Sequence, residues 1–274
     1  MKRFLSFVLA IFLLTSCAHQ SRVITDSSQY SQVELELGEA INQRILQTVP
    51  VYREEELNRY VHTIGQNIAR VADRKDLAYR FVILEDDRIY TMHAPGGYVY
   101  VTTGFFRFLI SEIELAGILA HEIGLLQYKD PRLSKMKKAF DLLLRTGSYV
   151  GPAFGAIGAL SVLGLALVGN ATYGEKSLAK QTREADKRAL RYLVESGYDP
   201  QGLIDPLHRM TDTKSPYRAY LYDYLESHPI SSERLNKLNQ EFLELPLENK
   251  QFDSKRSEFL RVTESVRNTF AQKS

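Results

Sequence analysis

The chain has 274 residues, enough to bury a sizeable core as one large domain or two small ones. Its 44% hydrophobic and 25% charged residues match ordinary globular proteins, and a net charge of +2 is too small to point to nucleic acid, so none is expected as a partner. A single cysteine, Cys17, excludes an intramolecular disulfide.

In chain order, Lys2 and Arg3 precede an apolar run from Phe4 to Leu14, followed by Leu14-Thr15-Ser16-Cys17. A short basic region, a short apolar segment and small residues before a cut read as a signal peptide over residues 1–16. The last four residues resemble the lipobox of bacterial lipoproteins, which implies cleavage before Cys17 and acylation there. Two or more acyl chains hold a protein stably at about 0.8 kcal/mol per buried methylene. Membrane attachment through a lipid anchor on Cys17 is therefore expected. Ala18 stands where an aspartate would mark inner-membrane retention, so the expected location is the bacterial envelope, at the outer membrane facing the periplasm.

Residues 17–32 are polar and read as a tether. Val33 to Ala72 has helical spacing of apolar residues, with Pro50 dividing two helices. Arg80–Leu84 and Tyr98–Thr102 are rich in β-branched and aromatic residues and are joined through Pro95-Gly96-Gly97. They predict a small antiparallel sheet. Glu112–Tyr128 is helical again. Tyr149–Gly169 carries no charge and reads as a buried or membrane-grazing helical hairpin. A helix follows from Lys176 to Ser196, ending at Gly197 as a C-cap. The expected division is a tether to residue 32, a domain over 33–245 and a C-terminal helical extension over 246–274.

One helix carries the chemistry. Ala120-His121-Glu122-Ile123-Gly124-Leu125 lies close to the HExxH pattern, in which two histidines four residues apart share a helical face and bind zinc while the glutamate acts as general base. Here the second histidine is Leu125. Alone the His-Glu pair says little. It is followed and preceded, however, by Pro95-Gly96-Gly97-Tyr98-Val99-Tyr100-Val101, Glu184-Ala185-Asp186, Gly197-Tyr198-Asp199-Pro200, and His228-Pro229 with Arg234. In that order and spacing the set resembles zinc metallopeptidase family forty-eight, the family of the CAAX prenyl proteases, HtpX, BepA and LoiP, over about Val33 to Leu238. The length of the chain brings it nearest to single-domain lipoproteins of the LoiP type. The resemblance implies an α+β, predominantly helical, zincin-like metallopeptidase fold with the small sheet beside the active-site helix.

Carried over residue by residue, the resemblance makes His121 the first zinc ligand, Glu122 the general base and His228 a histidine near the metal. Leu125 stands at the second ligand position. The third ligand is a glutamate four residues before Asp186, and that position is Thr182; Glu184 is turned roughly 200° away on the helix. The Asn-Ala of the family's groove strand is matched by Tyr90 and Thr91. His62, His93 and His208 show no ligand spacing and read as ordinary. Asp186 and Arg234 read as structural partners, and a buried Glu122 would need a partner such as an arginine or His228.

With two of three ligands replaced, zinc is implied by the resemblance but not expected to bind. The expected function is a pseudopeptidase that binds or chaperones envelope or outer-membrane proteins without cutting them. Two alternatives remain open at this stage. One is an active zinc endopeptidase in envelope protein quality control, using His121, His228 and Asp186 as replacement ligands. The other is a structural lipoprotein of an envelope complex, docking through Tyr149–Gly169.

Overall fold

The computed structural model describes residues 27–146, 175–248 and 250–271. The signal peptide, Cys17 and the stretch Tyr149–Gly169 lie outside the described residues. The first helix, α1 (Ser27–Thr48), begins at Ser27 and not after the tether expected to reach residue 32. Tyr30, Leu37, Ile41 and Ile45 are all buried, so this end of the chain has an apolar face to bring to the core. Arg74 fastens it further, donating to both carboxylate oxygens of Glu34 at 2.8 and 2.7 Å.

Helix α2 (Glu55–Ala69) starts where the Glu54 carboxylate accepts from the backbone N–H groups of Glu56 and Leu57, two donors that the first turn leaves unpaired. Leu57, Val61, Ile64 and Ile68 form its buried stripe.

The sheet has three strands, β1 (Arg80–Leu84), β2 (Thr91–Ala94) and β3 (Tyr98–Thr102), in the order β1-β3-β2. It corrects the antiparallel pairing expected for 80–84 with 98–102, because β1 and β3 run parallel and β3 takes β2 as its antiparallel partner. Pro95-Gly96-Gly97 reverses the chain between β2 and β3, where φ values of 79° and 93° at the two glycines suit residues without a Cβ. Strand β2, matched through Thr91 to the family's groove strand, carries little strand signal of its own because Thr-Met-His-Ala is short and weak in strand-forming residues.

Tyr98 and Tyr100 face α1, donating hydrogen bonds to Glu39 and Asn42. Thr91 and His93 project from the opposite face. There the sheet meets α4 (Glu112–Leu125), reached through the short α3 (Thr103–Phe108). Helix α4 is buried without a break from Glu114 to Gly124 and forms the centre of the core.

Two helices pack closely on α4. Helix α6 (Glu175–Ser196) comes so near that a Cβ on Gly124 would sit 2.7 Å from the Ala185 carbonyl oxygen. This contact sets the side chains of α6 directly against the His-Glu turn. Helix α7 (Gln201–Met210) meets Gly117 in the same way. Between α4 and α6 runs α5 (Leu133–Thr146), and after α7 come α8 (Tyr222–Ser227) and α9 (Ser232–Leu243). The final helices, α10 (Arg256–Val262) and α11 (Glu264–Ala271), bury Phe259, Val262 and Val266 in the same core cluster. Among the described residues no helix is long and apolar enough to cross a membrane.

Candidate functional site

His121 and Glu122 lie in the last turns of α4, 1% and 0% exposed. A fully buried carboxylate is costly unless its oxygens are satisfied. Three side chains from two elements supply that satisfaction. Thr91 on β2 donates its hydroxyl to Glu122 Oε1 at 2.6 Å, and His93 Nδ1 lies 2.9 Å from Oε2. His228, just past the end of α8, brings Nε2 within 3.2 Å of Oε1. Its imidazole is stacked on the Tyr224 ring at 4.6 Å, and its Nδ1 is 2.9 Å from Ser227 Oγ.

Burial by itself would raise the pKa of Glu122, but His228 and His93 hold it well below the usual carboxylate range. Burial also pushes His228 below the usual imidazole range, in spite of Glu122 beside it.

Asp186 and Arg234 form the second buried cluster. Arg234 donates to both carboxylate oxygens of Asp186, through Nε at 2.7 Å and a terminal nitrogen at 2.9 Å. Burial opposes ionisation of Asp186, but Arg234 and then His121 hold its pKa far down. His121 Nδ1 is 2.8 Å from Asp186 Oδ1, a distance at which opposite charges attract. The direction is not that of a ring N–H bond, however, and neither nitrogen of His121 has a hydrogen-bond partner. The rings of His121 and His228 stand 5.5 Å apart, edge to face.

A pocket of about 120 Å³ opens beside these groups. Leu125 and Thr182 form part of its wall, as do Thr91, Met92, His93 and His228. Glu184 is exposed on the far side of α6, as its helical offset requires. Among the described residues no three His, Cys, Asp or Glu side chains come together as a metal-binding group.

The structure thus gathers His121, Glu122, Leu125, Thr182 and His228 at one place. It also corrects the reading of His93 as an ordinary histidine, since His93 touches Glu122, while His62 and His208 are exposed at the surface. Thr91 and His93 are two apart on one strand and so share a face, a signal present in the sequence once 91–94 is known to be a strand.

A buried helix bearing His-Glu, set beneath an edge strand and crossed by a helix bearing Asp186, is the arrangement of a zincin-like metallopeptidase fold. The model of Peptidase family M48 matches residues 55–242, well over half of the chain, and the chain belongs to that family. Among curated relatives it is 26% identical over 219 residues to the beta-barrel assembly-enhancing protease of Yersinia pestis, covering 76% of this chain and 44% of that protein. It is 23% identical over 215 residues to the protein of the same name from Escherichia coli K12, with the same coverage. A putative beta-barrel assembly-enhancing protease of Vibrio cholerae is 23% identical over 217 residues, covering 78% and 45%. The chain spans less than half the length of these relatives.

Proposed function

We propose that this chain is a non-catalytic member of Peptidase family M48, a pseudopeptidase that binds proteins of the bacterial envelope without cutting them. The observation that carries this reading is the state of the donors around the pocket. Leu125 has no lone pair to offer, and Thr182 offers a neutral hydroxyl in place of a carboxylate. Asp186 has both oxygens on Arg234, and Glu122 has both on Thr91, His93 and His228. A catalytic zinc takes three protein ligands and keeps an open position for water. The donors present do not fit that requirement.

β-Barrel assembly enters through the names of the relatives, and the envelope and lipid anchor through Cys17 in its lipobox-like setting. Held by that anchor at the outer membrane, the chain would keep the family's groove for extended segments of client proteins. Its strand β2 is an edge strand, and edge strands accept a further strand through main-chain hydrogen bonds.

A second reading, a working zinc endopeptidase, draws on the unpartnered nitrogens of His121 and the nearness of His228. Elemental analysis of protein purified without added zinc, combined with a casein cleavage assay, separates the two. The expected outcome is zinc far below one ion per chain and no cleavage that a chelator or Glu122→Gln removes. Stoichiometric zinc lost in His121→Ala, with chelator-sensitive cleavage, would reverse the conclusion.

A further inference from the structure

Starting from the non-catalytic reading, we propose that His93 and Thr91 tie the groove strand to the central helix through Glu122, and that they bar zinc even where its ligands are restored. Among the described residues, strand β2 has four residues and a strand on one side alone. Backbone pairing with β3 is a thin hold for an element that must keep its position as a docking edge.

Here the fastening runs through Glu122. Thr91 and His93, two residues apart on the same face of β2, take one carboxylate oxygen each, at 2.6 and 2.9 Å. His228 reaches the first of those oxygens from α8. The three contacts join β2, α4 and α8 at a point that is fully buried, where a bond to an ionised group is strong and an unmet one is costly.

The same contacts explain why replacing Leu125 and Thr182 alone is not enough to recover a metal. His228 turns Nε2 toward Glu122, and both Glu122 oxygens already have close neighbours where a water on a metal would come. His93 lines the pocket into which Leu125 and Thr182 face. A histidine and a threonine on β2 fill room and satisfy an acid that a metal-bound water would otherwise occupy.

The test uses the full chain and two readouts, amide hydrogen exchange and bound zinc after incubation with zinc ion and desalting. Thr91→Ala with His93→Ala should speed exchange in residues 91–94 about tenfold or more, given what bonds to charged groups contribute. His93→Gln, which keeps a side-chain donor, should lose much less. The pair Leu125→His with Thr182→Glu should stay zinc-poor, and the same pair combined with Thr91→Ala and His93→Ala should take up stoichiometric zinc.

The proposal is overturned if Leu125→His with Thr182→Glu binds stoichiometric zinc while Thr91 and His93 are intact. Unchanged exchange in β2 after loss of both side chains also overturns it, as does a fourfold variant that stays zinc-poor. Stoichiometric zinc on the unaltered chain is a different result, which removes the non-catalytic reading underneath.

Discussion

At the scale of single residues, the site is two buried acids with different partners. Glu122 is met by a threonine and two histidines from two elements, whereas Asp186 is met by a guanidinium in a two-pronged bond. The second arrangement depends more on one residue. Arg234→Met would leave Asp186 buried with only His121 near it, and breaking a buried pair from one side typically costs about 3–5 kcal/mol. Urea unfolding should show a loss of that order, and adding Asp186→Asn should restore part of it by removing the stranded charge. Equal stability of the single variant and the parent would mean that the pair is idle.

At the scale of elements, α1 is held to the domain by an apolar stripe, by hydrogen bonds from Tyr98 and Tyr100, and by a buried clamp. Arg74, between α2 and β1, bonds Glu34 on α1 and, at 2.6 Å, Asp76 beside it. Both Arg74 and Glu34 are buried, so Arg74→Met strands Glu34 inside the protein. The expected outcome is faster amide exchange across Ser27–Thr48, with little change in α4. Exchange that rises equally in both helices would show that α1 and the core open as one unit. The clamp also bears on the pocket, because Tyr30 and Glu34 lie in its wall.

At the scale of the whole molecule, the reading joins a peptidase fold to attachment at a membrane. If Cys17 carries the anchor, Cys17→Ala should move the protein from the membrane fraction to the soluble fraction of fractionated cells while leaving its thermal unfolding unchanged. A variant that stays with the membrane would place the attachment elsewhere in the chain. Lipid on one cysteine and the fold of residues 55–242 are separable, since the core is assembled from residues far from position 17.

The sequence alone determined the family's frame: the His-Glu helix, the Pro-Gly-Gly turn, the Asp186 helix and the His228-Pro229 turn are local patterns that survive being read one residue after another. Through the resemblance it also directs attention to Leu125 and Thr182, because helical spacing is fixed and an expected ligand position can be counted. The partners of Glu122 were not legible in the same way. Residues 91, 93, 122 and 228 are far apart in the chain, and only the packing of β2 and α8 on α4 puts their polar atoms within hydrogen-bond reach. The parallel run of β1 beside β3 was likewise decided in three dimensions, since a strand's neighbours follow from the path of the chain and not from its own residues. Spacing along a helix is a property of the backbone, but what a buried acid touches is a property of the whole core.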